Sequence, residues 1–168
     1  MADEKQDFAE MVTKPVKEHE WLKNLLGEWK VESEMDMPDG STIKSQGTAS
    51  VTSLGGLWAF SENTDTMPDG TKLAAYFALG YDLTFKEYRG CLVMSASSHL
   101  WKYTGELSDD GKTMTLNCEG PNMAKDGETA LYRNMIELID DDHRTHTSFG
   151  QDEKGEWQEF AKAHYTRV

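Results

Sequence analysis

The stretch Glu18-His19-Glu20-Trp21-Leu22-Lys23-Asn24-Leu25-Leu26-Gly27-Glu28-Trp29 changes its period at Gly27, and that change decides the fold. Before the glycine, Trp21, Leu22, Leu25 and Leu26 cluster at helical spacing and make an apolar stripe. Gly27 can take the left-handed conformation that ends a helix. After it, Trp29, Val31 and Met35 alternate with Lys30, Glu32 and Glu34, the period of a half-buried strand. Thr13 as N-cap and Pro15 in the first turn predict a helix over 14–26. His19 lies on its apolar stripe, as a packing histidine or a ring hydrogen-bonded to a strand end.

Everything downstream reads as strand and turn. Met-Pro-Asp-Gly occurs at 37–40 and again at 67–70, and acidic turns fall at 109–112, 140–143 and 152–155. The flanks of the repeated tetrapeptide differ, so it is turn chemistry used twice and not a solenoid repeat. Strands are predicted near 28–36, 42–53, 57–66, 72–82, 88–96, 99–108, 112–119, 130–140, 143–150 and 156–167. An open meander of this length would leave two exposed edges, and closure removes both. The fold class is therefore all-β, an up-and-down antiparallel barrel of about ten strands with one N-terminal helix capping a mouth. An open sandwich is the alternative, but no long Greek-key connection is visible. Residues 1–13, with Phe8, Met11 and Val12 as a small apolar group, read as an arm ahead of a single domain over 14–168.

Bulk properties exclude some functions. A net charge of −13 across 168 residues disfavours nucleic acid and anionic membrane surfaces as partners. No apolar run is long enough for a membrane span, and the first residues lack the pattern of a signal peptide. The default location is cytoplasmic. Cys91 and Cys118 form no Cys-x-x-Cys pair, lie in strand-like segments and read as buried free thiols.

The order of several short motifs resembles a bacterial family, domain of unknown function 1579. They are His19, Leu22, Leu25, Gly27 and Trp29 at the opening; Leu54-Gly-Gly-Leu-Trp58; Gly80-Tyr-Asp82; Tyr88 with Gly90; Gly105 before Asp110-Gly111; Arg133 with Glu137; and Tyr165-Thr-Arg167. The resemblance runs from about residue 15 to the end. It implies a lipocalin-like, calycin-type barrel and supplies no catalytic residues. The chain departs from the pattern at Met94, where the resemblance implies an Asp.

Candidate ligand contacts come from strand faces. Tyr165 and Arg167 share a face with Trp157, Glu159, Ala161 and Ala163. A phenol and a guanidinium there could hold a carboxylate, by analogy with fatty-acid-binding barrels. The other reading places Arg167 in a frayed terminus and Tyr165 at the rim. Arg133 shares a face with Leu131, Met135, Glu137 and Ile139, but Tyr132, Asn134, Ile136 and Leu138 make the stronger core face, so Arg133 reads as solvated unless it meets an anion. His99, Trp101 and Tyr103 share a face suited to lining a pocket. Trp29, Trp58 and Phe60 complete the aromatic candidates, although large residues occupy both faces from Leu57 to Phe60.

His143 and His146 are three apart on a strand, face opposite sides and would not chelate one metal, and no metal site is expected. His164, near the C-terminus, gives a faint likeness to haem-binding nitrobindin barrels, and no motif names a cofactor. A ten-stranded barrel is wider than the eight-stranded one that side chains just fill. The leading expectation is thus a small apolar or amphipathic ligand in the interior. A small enzyme working by general acid–base chemistry on an enclosed substrate, and a homo-oligomeric scaffold with a filled barrel, are the alternatives.

Overall fold

Ten strands close on themselves in chain order in the computed structural model, which describes residues 11–168. They are β1 (Gly27–Asp36), β2 (Thr42–Leu54), β3 (Trp58–Thr66), β4 (Lys72–Asp82), β5 (Glu87–Met94), β6 (Ser97–Leu107), β7 (Thr113–Pro121), β8 (Thr129–Leu138), β9 (His143–Gln151) and β10 (Trp157–Arg167). Each pairs antiparallel with its sequence neighbours, and β1 pairs with β10 to close the ring. No strand edge is left open. The repeated Met-Pro-Asp-Gly makes the same turn twice. Gly40 and Gly70 have φ of 84° and 85°, and Met37 and Met67 each donate N–H to a carbonyl four residues on, at 2.8 Å.

The helix is shorter and tighter than the sequence predicts. It is a 3-10 helix over Lys17–Leu25 with Val16 as its extended N-cap, so Thr13 does not cap it and Pro15 lies outside its first turn. Two contacts explain the late start. The Pro15 ring packs over Gly56, where a side chain would meet it at 2.9 Å, and the His19 ring accepts the Val16 N–H at Nδ1. Gly27 follows the Leu26 C-cap with φ 116°, and a side chain there would strike the Arg167 guanidinium at 2.7 Å.

The helix seals one end of the barrel. Trp21 donates its indole N–H to the Gly111 carbonyl, and the Tyr88 hydroxyl donates to the Glu18 carbonyl at 2.7 Å. Trp29 donates to the Leu25 carbonyl at 2.9 Å. Around these anchors the inward side chains of the sealed end are fully packed: Leu79, Met114 and Leu116 are 0% exposed.

Two strand faces differ from expectation. A bulge in β10 between Glu159 and Ala161 lets Phe160 turn inward against Tyr132, while Trp157 lies under the Arg133 guanidinium. The inferred common face of Trp157, Glu159 and Tyr165 is broken at that bulge. In β5, Leu92 points inward, so Cys91 is exposed and only Cys118 is buried; both thiols are free.

Candidate functional site

Every strand of a closed barrel must turn one face into the lumen. For β9 that requirement is decisive, because His143-Arg-Thr-His-Thr-Ser148 has no apolar face to offer. The face that turns in carries Arg144, His146, Ser148 and Gly150. Polar groups also enter from β1, β2 and β3 as Ser33, Ser45, Ser61, Asn63 and Asp65. The facing wall is apolar and aromatic, with Phe77, Leu92, Trp101, Tyr103 and Tyr132 in the interior cluster. The lumen is therefore two-faced.

Side chains meet across the middle of the lumen yet keep accessible surface. His146 on β9 and Phe77 on β4 stand on opposite sides of the ring, with ring centroids 6.4 Å apart. Both retain accessible surface although protein surrounds them. Tyr165, Ala163 and Ser148 do so as well. Small residues make the room on this side: Ser33 is registered with Ser45 and Ala163, and Val31 with Gly47. Gly47 has no side chain to hold Asp65 off, and Asp65 Oδ1 leans into that gap. The open end thus forms a cup whose wall runs down to Tyr165.

Arg144 lies at the bottom of the cup. It is 6% exposed, and its guanidinium stacks 3.8 Å from the Tyr165 ring centroid and 4.7 Å from that of Trp29. Its Nε is buried without a hydrogen-bond partner. Among the described residues no carboxylate pairs with it. Burial pulls its pKa below the ordinary value, and the nearby Arg167 charge acts in the same direction. Burial, then the Arg144 charge, pushes His146 down to about 4, so its imidazole is neutral at pH 7. Asp65 is shifted the other way, because desolvation raises its carboxyl and only a long contact with Ser45 offsets this.

The residues singled out in the sequence divide among five places. Trp29 is a floor residue, 2% exposed, between the guanidinium groups of Arg144 and Arg167. His99, Trp101 and Tyr103 do share the inward face of β6. His99 Nε2 lies 3.2 Å from the Glu119 carbonyl, and the buried Trp101 indole N–H has no partner. Tyr165 faces the lumen beside Arg144.

Arg167 turns towards the helix. Its guanidinium donates to the carbonyls of Leu26, Asn24 and Asp141, which clamps the C-terminal end of the helix to β10. Arg133 is outside, stacked on Trp157 and bonded to Asn117. Trp58 and Phe60 are outside too, because Ala59 and Ser61 take the inward positions of β3. Phe60 stacks on Tyr76 across the outer surface.

Arg144, His146 and Asp65 were not singled out. The signal for the first two was the polarity of both faces of β9, which obliges a polar set to enter any closed barrel. Asp65 had no such signal, since it falls in the ordinary alternation of β3. A groove of about 540 Å³ lies over β1 and β2, with Glu32, Gln46 and His164 on its walls, but it holds none of the aromatic side chains. Among the described residues no group of three or more His, Cys, Asp or Glu could hold a metal, and no helix is long and apolar enough to cross a membrane.

A family model described as "Protein of unknown function (DUF1579)" matches residues 14–167. Among curated proteins none matches. Two solved structures share the fold at low identity. Rv2717c from M. tuberculosis is 14% identical with a TM-score of 0.62, over 91% of this chain and 98% of that one. The S-type phycobiliprotein lyase CPES from Guillardia theta is 13% identical with a TM-score of 0.58, over 91% of this chain and 93% of the other.

Proposed function

We propose that this chain, which belongs to the DUF1579 family, is a binding barrel that holds a small amphipathic molecule in the open half of its lumen. One observation carries the reading. Side chains at the centre of the barrel, His146 and Tyr165 among them, are surrounded by protein yet keep accessible surface. Tight packing is the rule for protein interiors, so accessible surface on enclosed aromatic residues is a departure that a bound molecule would use. The polar side formed by β1–β3 and β9 and the aromatic side formed by β4–β8 suit a ligand with one polar and one apolar part. The unpartnered Trp101 indole and Arg144 Nε are polar groups that such a ligand could satisfy. The phycobiliprotein lyase of Guillardia theta shows that an enzyme can be built on this fold, and supports no more than that.

Native mass spectrometry of the purified protein, before and after denaturation, tests the reading. A released small molecule, or a thermal shift with members of a lipid and aromatic library, is the expected result. A dry interior with neither is the contrary one.

A second reading has a specific observation behind it. Asp65 and His146 both face the lumen, with pKa values moved towards each other by burial. Such a pair suits general acid–base chemistry on an enclosed substrate. If the molecule recovered from the barrel is chemically unchanged after prolonged incubation with fresh protein, this reading fails and the binding one stands.

A further inference from the structure

We infer that Arg144 is the seat of a carboxylate, so that the molecule held in the lumen is a monocarboxylic acid with an apolar body. The inference rests on the binding reading above and names its ligand class. An arginine that is 94% buried carries a charge that folding must desolvate, and such a charge is found with an acid, a hydrogen-bonded network or an anionic ligand. Among the described residues Arg144 has none of the protein partners. Among those residues no ion pair reaches it, Nε is orphaned, and its neighbours supply no anion: Trp29 from β1, Leu138 from β8, Tyr165 from β10. Asp65, the carboxyl on the lumenal face of β3, forms no ion pair with Arg144.

The stacking geometry leaves a use for the group. Arg144 Cζ lies over the faces of the Trp29 and Tyr165 rings, which offer no carboxylate oxygen to its N–H donors. Arg167 already bonds three backbone carbonyls and pairs with Asp142 at 3.5 Å, so it does not compete for the ligand. With one free guanidinium and a neutral His146, the floor matches a single negative charge. The chain as a whole carries a net charge of −13, which opposes any anion. A preference for acids must therefore arise locally.

Calorimetric titration of the full chain with decanoate and with 1-decanol at neutral pH decides the matter. The expected result is at least tenfold tighter binding of decanoate. Arg144→Met should erase that preference while moving decanol affinity less than threefold, and Arg144→Lys should keep part of it. Equal affinities in the native chain, or a preference that survives Arg144→Met, would overturn the carboxylate seat and leave the binding reading intact. If neither compound binds and the library screen is also blank, both readings fall. Should Arg144→Met not fold, the acid-to-alcohol ratio in the native chain decides alone.

Discussion

The two ends of the barrel are made from the same ten strands and have opposite characters. At the helix end, Leu79, Met114, Leu116 and Ile136 are no more than 1% exposed, and the helix fills the mouth. At the hairpin end, Leu92, Met94, Trp101 and Phe160 point inward and still keep accessible surface. The difference lies in what each strand contributes at each level. The sealed end receives large aliphatic residues and the helix side chains Trp21, Leu22 and Leu25. The open end receives Ser33, Ser45, Gly47, Ala161 and Ala163, which leave room. Tight packing and accessible lumenal surface are thus separated along one axis.

Truncation should expose that division most strongly. Leu116→Ala opens a cavity in a site with no solvent access and is expected to cost about 3–5 kcal/mol in urea unfolding. Leu92→Ala removes the same atoms from a partly accessible site and should cost about 1 kcal/mol. Equal losses would mean that the open half is packed after all.

The pH dependence of stability comes next in size. His146 titrates at about 4 when folded and near 6.5 when unfolded. Between those values the unfolded chain binds the extra proton, so stability must fall as pH drops from 6.5 to 4 and stop falling on this account below 4. The full shift corresponds to no more than about 3 kcal/mol. Asp65, raised by desolvation, works in the opposite sense in the acid part of that window. Replacing His146 with Gln should flatten the slope, measured as urea midpoints across pH. A slope unchanged in His146→Gln would place that ring in contact with bulk water.

The clamp on the helix is smaller. Arg167→Ala removes charged donors from the Leu26, Asn24 and Asp141 carbonyls. The expected loss is about 1–2 kcal/mol, since part of the side chain is solvated. Hydrogen exchange should speed up at Leu25 and Leu26 and stay unchanged in the hairpins around Gly40 and Gly70. Acceleration at both ends would show that the helix holds the whole barrel and not one mouth.

Much of the architecture was legible because barrels are written in alternation and turns. All ten strands fall within two residues of their predicted bounds, since Asp-Gly turns and period-two runs are local signals. Closure followed from the cost of open edges. The site was harder to read for a physical reason. A ligand contact depends on which face of a strand turns inward, and a bulge or a pair of large neighbours reverses that choice. The β10 bulge moved Trp157 outside and Phe160 inside. Arg167 took its role from carbonyls some 140 residues away in sequence, which no local pattern reports.

Trp58 and Phe60 give the smallest predicted effect and the sharpest test of that lesson. Leu57-Trp-Ala-Phe60 offers large residues on both faces, and aromatic content alone favours sending them inward. The structure sends Ala59 and Ser61 inward instead, because Ala59 is registered with the fully buried Leu79 at the sealed end. A Trp at position 59 would collide where the helix already fills the mouth. Phe60 is 38% exposed, with Tyr76 stacked beside it at 5.8 Å. Phe60→Ser should therefore change stability by about 0.5–1 kcal/mol, the worth of one exposed cross-strand aromatic pair. It should leave decanoate affinity unchanged. A loss of ligand binding in Phe60→Ser would mean that the outer wall of β3 and β4, and not the cup, is the functional surface.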